Sequence, residues 1–315
     1  MRRRISEKDA ETDAERDAKQ VKEMWNQEVR NVKENAHKRR MLKYAVMRSC
    51  AQGALGISLA ALVAVIVFIL ARGLPHISMQ LLFGDYSGKH PTIKPALVGT
   101  LYLIAVSLVI AAPVGIGSAI FMTEYTNSRS RLIRVIRVAV ETLAGIPSIV
   151  YGIFGYLVFV IALGFRYSLI GGGITLAIMI LPVIVRSTEE SLLAVPRSLR
   201  EGSFALGSSK VRTIFSVVLP CAMSGIVTSV ILATGRVVSE SAVLILTIGM
   251  VVNKMPVNLA SPGTSLALDV YYFSSHGYPE QAAATGVVLL VLIISINMAA
   301  TVIGKIYGKG ELVDG

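Results

Sequence analysis

The chain has 315 residues, of which 53% are apolar and only 16% are charged. A soluble domain usually carries about 25% charged residues, so the composition argues against a soluble globular protein. The formal net charge of +11 does not indicate nucleic-acid binding, because the basic residues gather at the N-terminus and in short connections, as they do in membrane proteins.

Residues 1–48 form a polar extension ahead of the apolar part of the chain. Residues 1–49 hold 14 of the 31 lysines and arginines and 9 of the 20 acidic residues. The few apolar residues recur at helical spacing, at Val21, Trp25, Val29, Val32 and Ala36. We expect a charged cytoplasmic helix that leads to a basic membrane anchor, with the docking of a cytoplasmic partner as an alternative role.

Six long stretches without Asp, Glu, Lys or Arg follow this extension. They are Ser49–Ala71, Pro95–Thr123, Thr142–Phe165, Tyr167–Val185, Thr213–Gly235 and Gln281–Gly304. A helix needs about 20 mostly apolar residues to cross the hydrocarbon core of a bilayer, and each stretch is close to that length or longer. The sequence therefore predicts an all-α, polytopic membrane protein whose six transmembrane helices lie within residues 49–305.

The basic residues of the connections predict how these helices are oriented. Residues 124–141 carry four arginines and residues 186–212 carry five lysines and arginines, whereas the alternate connections carry fewer. Because Lys and Arg favour the cytoplasmic side, we expect both connections, the N-terminus and a short tail of residues 306–315 to be cytoplasmic. The connection 250–280 then lies outside, and we expect a short interfacial helix there over Leu266–Phe273.

A charged segment interrupts the apolar chain before the fifth predicted span. Ser198 and Glu201 have the spacing of a capping box, which predicts a short helix over Leu199–Leu206 that Gly207 closes. A second helix should begin near Lys210 and continue into the membrane. The segment is therefore expected to project from the membrane and return to it.

Part of this segment has the glycine spacing of a nucleotide-binding loop. Gly202 and Gly207 match the two glycines of a P-loop, but Ser208 stands where the motif requires lysine, and no strand precedes it. We therefore expect this chain to bind no ATP here and to have no catalytic residues. Cys50 and Cys221 have no obvious partner, so we also expect no disulfide and no metal site.

The segment resembles the EAA loop of ABC importer permeases, a cytoplasmic loop with the pattern Glu-Ala-Ala-x3-Gly-x9-Ile-x-Leu-Pro. The matching positions are Glu201, Gly202, Ser203, Gly207, Val217, Leu219 and Pro220. Gly202 and Ser203 replace the two alanines and Val217 replaces isoleucine, while every spacing is kept. The resemblance implies the fold of a type I ABC importer permease, in which a loop at about residues 187–212 couples the membrane domain to a cytoplasmic ATPase.

Three further stretches resemble the PstA-type permeases of phosphate importers. They are residues 143–152, 181–190 and 235–240, and the similarity covers about residues 95–305. Ser239 stands where that family usually has glycine. The resemblance implies a phosphate permease in a prokaryotic cell membrane. Its implied partners are a second, homologous permease subunit, an ATPase dimer that binds ATP and Mg, and an external phosphate-binding protein, with no cofactor in this chain.

Charged residues near the fourth and fifth spans are candidates for the phosphate pathway. Arg236 and Glu240 are four residues apart, so a single helix would place them on one face and allow an ion pair. Charges at membrane depth often line a transport path, and a guanidinium matches the oxygens of phosphate. A structural ion pair between subunits is the alternative. Arg186 is either a topology anchor or, as the resemblance implies, a third pathway residue.

Other functions fit parts of the same sequence. An importer of another oxyanion or polar solute would have the same coupling loop. A stand-alone secondary transporter or channel often has an internal repeat and coupling carboxylates at mid-membrane, and only Glu240 is comparable. A membrane scaffold without transport would leave Arg236 and Glu240 unexplained. The sequence favours the permease of a phosphate ABC importer.

Overall fold

A computed structural model describes residues 24–25, 41, 43–44, 46–84, 91–126 and 130–308 of the chain. The chain divides into two compact units, residues 1–67 and 68–315. The predicted extension over residues 1–48 lies almost wholly outside the described residues, as does most of the 306–315 tail, so both stay predictions. Within the described ranges, the structure consists of helices and their connections, with no β-strand.

The described helices, in chain order, are α1 (Val46–His76), α2 (Met79–Phe83), α3 (Lys94–Tyr125), α4 (Arg131–Ala144), α5 (Ser148–Ala162), α6 (Leu169–Ala194), α7 (Arg197–Ala205), α8 (Lys210–Ser239), α9 (Ala242–Thr247), α10 (Leu266–Ser275) and α11 (Pro279–Gly308). Five of them, α1, α3, α6, α8 and α11, are long and apolar enough to cross a membrane. Together, α4 and α5 pass the same test as a bent pair, and counting that pair as one span gives up to six, the predicted number. The predicted all-α membrane fold is confirmed.

The third predicted span is not one straight helix. The uncharged stretch Thr142–Phe165 predicts a single helix, but α4 and α5 meet at an angle of 99°. α4 ends at Ala144, because Pro147 lacks an amide hydrogen and disfavours a helical conformation at the residue before it. The Tyr151 hydroxyl donates a hydrogen bond to the Leu143 carbonyl, 2.8 Å away, and so satisfies one of the last carbonyls of α4.

The core of the domain lies around α6, which packs against α3, α8 and the α4–α5 pair. Small residues let the helices approach closely, which matters in lipid because packing rather than hydrophobic burial drives helix association. A Cβ atom added to Gly115 of α3 would lie 2.8 Å from Ile184 of α6. One added to Gly173 of α6 would lie 2.5 Å from Val106 of α3. The α3–α6 contact therefore leaves no room for larger side chains at these positions.

The connection between α9 and α11 packs onto the beginning of α3. The Thr100 hydroxyl accepts a hydrogen bond of 3.0 Å from the Leu266 amide. Gly99 lies directly against the Thr264 carbonyl, where a Cβ atom would overlap it. α10 therefore begins inside the protein, held by the start of a membrane-spanning helix.

The helix α10 corresponds to the predicted interfacial helix but is placed differently. It begins at Leu266, as predicted, and extends to Ser275, two residues beyond the predicted end. Phe273 is fully buried, while Tyr271 is exposed. The helix therefore packs Phe273 into the domain and leaves Tyr271 at the surface.

Asp269 of α10 is an acid in an apolar setting, on a helix too short to span a membrane. The side chain is fully buried, the Thr264 hydroxyl donates a hydrogen bond to one carboxylate oxygen, and the other oxygen has no hydrogen-bond partner among the described residues. Burial raises the pKa of Asp269 from 3.8 to about 8, although the bond from Thr264 acts in the opposite direction. At neutral pH the folded protein therefore keeps this carboxyl mostly protonated.

We predict that Asp269 makes the domain less stable as pH rises. The unfolded chain releases this proton near pH 3.8 and the folded domain near pH 8, so stability falls across that window. Asp269→Asn keeps an oxygen that accepts from Thr264 but cannot ionise. Between about pH 5 and about pH 8, the melting temperature should fall in the parent protein and change less in the variant. The same pH dependence in both proteins would contradict a buried, protonated Asp269.

Candidate functional site

The helix α7 lies between α6 and α8 and is the exposed part of the predicted coupling loop. Pro196 stands at its N-cap, so the prediction that Ser198 caps the helix is wrong by two residues. The proline ring fixes φ near −58°, which starts the helix before Ser198 can act as a cap. The helix ends at Ala205, one residue before the predicted end, and the closing role of Gly207 is confirmed. Gly207 donates its amide to the Phe204 carbonyl at 2.9 Å and adopts a φ of +80°, which glycine tolerates without strain.

The first group of predicted coupling residues lies on α7 and its closing turn. Glu201, Gly202 and Gly207 are exposed. Ser203 is partly buried, and its hydroxyl shares a hydrogen bond of 2.9 Å with the hydroxyl of Thr213 in α8. This surface of α7 is therefore available to another protein, while Ser203 attaches the helix to the domain.

The second group of predicted coupling residues, Leu219 and Pro220, lies inside α8. The preceding residues Ile214–Val218 form a π-helical turn. Because Pro220 has no amide hydrogen to donate to the preceding turn, it favours such a local widening of the helix. α7 packs against this turn. The structure thus does not bring Leu219 and Pro220 to the exposed surface of α7; they shape the turn on which α7 rests.

Arg200 ties α7 to two other helices, and nothing in the local sequence indicates this. Its guanidinium donates to the carbonyls of Val195 and Leu192 at the end of α6, at 2.6 and 2.8 Å. It also donates to one carboxylate oxygen of Glu124 at the end of α3, from Nη2 at 2.9 Å and from Nε at 3.2 Å. The two charged side chains are only 18% and 11% exposed, so the pair is largely shielded from water.

Two more arginines, one in α4 and one in α6, form ion pairs where these helices meet. Arg137 donates a hydrogen bond of 2.8 Å from Nε to one oxygen of the nearly buried Glu189, and its Nη2 lies 2.6 Å from the same oxygen. Arg186 is exposed, and its guanidinium lies 3.2 Å from Glu190 and 3.9 Å from Glu141. All five charged residues line a cavity of about 230 Å³. The predicted pathway residue Arg186 therefore lies near the end of α6, where two carboxylates partly compensate its charge. The sequence did not predict the more buried Arg137–Glu189 pair beside it.

Arg236 and Glu240 do not form the predicted ion pair. α8 ends at Ser239 and the Glu240 backbone is extended, so the two residues do not share a helix face. The Glu240 carboxylate instead accepts hydrogen bonds from the amides of Ala242 and Val243, 3.0 and 3.3 Å away, at the start of α9. Glu240 thus caps the helix that follows the break.

Arg236 is partly buried in the last turn of α8. Among the described residues it makes no ion pair and no side-chain hydrogen bond, and its charge acts on the Tyr151 hydroxyl at the α4–α5 bend. It lines neither the cavity that contains Arg186 nor the cavity beneath α7. Arg236 is therefore a positive charge that the described part of the chain leaves without a carboxylate.

A larger cavity of about 500 Å³ lies beneath α7, where it meets the ends of α3 and α6. Its charged lining residues are Glu124, Arg137, Arg197, Arg200 and Glu201. Two of its three arginines are already paired with carboxylates, Arg137 with Glu189 and Arg200 with Glu124. The cavity therefore separates α7 from the ends of α3 and α6 except where Arg200 bridges it.

Comparisons with known proteins agree with this arrangement. Residues 111–309 match the family described as binding-protein-dependent transport system inner membrane component. The chain is 33% identical over 281 residues to the probable ABC transporter permease protein YqgI of Bacillus subtilis, covering 82% of this chain and 95% of that protein. It is 36% identical over 214 residues to the phosphate transport system permease protein PstA 1 of Mycobacterium tuberculosis, covering 66% of this chain and 69% of that protein.

Solved structures share the fold. A chain of a bacterial alginate ABC transporter aligns with a TM-score of 0.61 at 15% identity, covering 86% of this chain and 96% of that chain. A chain of the inward-facing MetNI methionine ABC transporter aligns with a TM-score of 0.55 at 23% identity, covering 68% of this chain and 94% of that chain. At these identities the likeness establishes the architecture alone.

We predict that the Arg137–Glu189 pair stabilises the α4–α6 contact. Glu189→Gln removes the charge that compensates the partly buried Arg137, and losing such a bond costs about 1–3 kcal/mol. Glu190→Gln is the matched control, since it makes the same change at the next residue, which is exposed. The melting temperature should fall clearly for Glu189→Gln and hardly for Glu190→Gln. Equal effects would mean that burial of the pair contributes nothing.

Proposed function

Since this chain belongs to the family of binding-protein-dependent transport system inner membrane components, we propose that it is the permease subunit of an ATP-driven phosphate importer. The observation that carries the transport role is α7, an exposed helix before the last-but-one span with the spacing of the EAA loop. The phosphate assignment is supported by the similarity to PstA 1 and by the three stretches that resemble PstA-type permeases.

In this proposal α7 is the contact to a cytoplasmic ATPase dimer. ATP and Mg are bound by that partner, so this chain carries out no chemical step. The exposed residues Glu201, Gly202 and Gly207 enter a groove of the ATPase, and closure of the dimer around ATP moves α7. The movement of α7 then converts the pathway between its inward-open and outward-open states. The chain lies in the cell membrane with both termini in the cytoplasm.

The phosphate pathway is formed together with a second, homologous permease subunit, and an external phosphate-binding protein delivers the anion. Arg236 supplies the positive charge, because it is partly buried and lacks a carboxylate partner among the described residues. A guanidinium offers a planar set of donors that fits phosphate oxygens. Glu240 fixes the break between α8 and α9 that places Arg236 at a helix end. Arg186, near the end of α6, acts later on the path.

We predict that Arg236→Gln lowers phosphate uptake by about tenfold or more. At an effective dielectric near 20, one charge about 4 Å from the anion is worth on the order of 4 kcal/mol before desolvation is subtracted. A remaining third of that energy corresponds to about a tenfold change in rate. The measurement is uptake of labelled phosphate by complexes that are shown to be fully assembled.

The matched control for Arg236→Gln is Lys254→Gln, which removes an exposed positive charge from the connection after α9. This control should transport at the parental rate, because a well-solvated charge contributes little to the stabilisation of a bound anion. If both variants transport at the parental rate, Arg236 is a structural residue and the pathway assignment is wrong.

We also predict that Gly207→Val uncouples transport from the ATPase, whereas Gly207→Asn is milder. The φ of +80° at Gly207 is strained for a β-branched residue, but asparagine adopts positive φ more readily. No other atom lies within 4 Å of a Cβ at this position, so the backbone and not crowding decides the result. Co-purification of the ATPase and phosphate uptake should fall for valine and largely recover for asparagine. Normal values for valine would contradict the role of this turn.

A further inference from the structure

A single arginine makes the strongest described connection between α7 and the membrane-spanning helices. Arg200 bonds the Leu192 and Val195 carbonyls at the end of α6 and the Glu124 carboxylate at the end of α3, with donor–acceptor distances between 2.6 and 3.2 Å. The last carbonyls of a helix lack amide partners from a following turn, so they readily accept bonds from a guanidinium. The Leu192 carbonyl also accepts a hydrogen bond of 3.4 Å from the Val195 amide. We call this arrangement the Arg200–Glu124 clamp.

The rest of α7 is held weakly. None of its residues is buried, so no apolar core fixes its angle to the bundle. Its other described side-chain bond joins two neutral hydroxyls, those of Ser203 and Thr213, and it packs against the Ile214–Val218 turn. Hydrogen bonds between charged partners are roughly twice as strong as neutral ones. The clamp therefore dominates the attachment of α7 to α3 and α6.

The position of the clamp matters because it joins α7 to two helices that are closely packed against each other. At Gly115 and Gly173 the two helices are so close that an added Cβ atom would clash with the facing helix. A force on the Arg200 guanidinium acts on the ends of both helices at once. Without the clamp, α7 remains connected to α6 only through the extended residues Val195 and Pro196.

We propose that Arg200 and Glu124 are positioning residues that transmit the movement of α7 to the α3–α6 pair. The inference rests on the proposed function, since it requires an ATPase that moves α7. It predicts that breaking the clamp leaves ATP hydrolysis intact but makes it unproductive. A merely structural role would instead reduce the amount of assembled complex and lower hydrolysis and transport together.

The test compares phosphate transported per ATP hydrolysed in vesicles that contain the complete complex. Glu124→Gln removes the ion pair but leaves the bonds from Arg200 to the two carbonyls, so it should assemble. Arg200→Lys keeps the charge but loses the planar set of donors. The transport-to-hydrolysis ratio should fall about 5-fold or more for Glu124→Gln, the lower part of the range for coupling between distant sites. Arg200→Lys should give an intermediate value.

Arg134→Gln is the matched control, because Arg134 is an exposed arginine of α4 that lines neither cavity. It should keep the parental ratio. If Glu124→Gln and Arg200→Lys also keep the parental ratio, with or without loss of assembled complex, the clamp does not transmit movement. If the parental complex itself imports no phosphate, the proposed function fails instead, so the two failures are distinct.

Discussion

The transmembrane helices of this domain associate with little help from the hydrophobic effect, because lipid is as apolar as their side chains. The close fit of α3 against α6 is therefore the constraint on which the rest of the structure depends. Gly115 of α3 and Gly173 of α6 allow this close approach at two positions along the helix pair. The start of α3 carries Gly99 and Thr100, which hold α10, and its end carries Glu124, which holds α7. One helix pair thus supports both ends of the domain.

Charge is used in two ways around this pair. Near α7, Glu124 and Glu189 are each bonded to an arginine and largely buried, an arrangement in which removing either partner would leave a costly unpaired charge. Arg236 has no such partner among the described residues, because Glu240 is occupied in capping α9. The paired charges therefore hold helices together, while Arg236 is the charge that we assign to the transported anion.

The spans and α7 could be predicted because their signals are local in the sequence. An uninterrupted apolar run predicts a span, and a glycine that adopts positive φ predicts where a short helix ends. The helix break before Glu240 and the bend at Pro147 also have local causes. They were not predicted, because the apolar sequence around each of them indicated one unbroken helix. Proline was the available signal for the bend. The bond between Arg200 and Glu124 joins residues 76 positions apart, so it follows from packing and not from spacing.

In the proposed function, this chain carries phosphate only as part of an ATP-driven complex. The most direct measurement is labelled-phosphate uptake into vesicles that contain this chain, a second permease and the ATPase, with the phosphate-binding protein outside. Uptake should require ATP hydrolysis, the binding protein and this chain, and should stop when any of them is omitted. Phosphate uptake by this chain alone without ATP, or ATP-driven uptake of another solute but not phosphate, would contradict the claim.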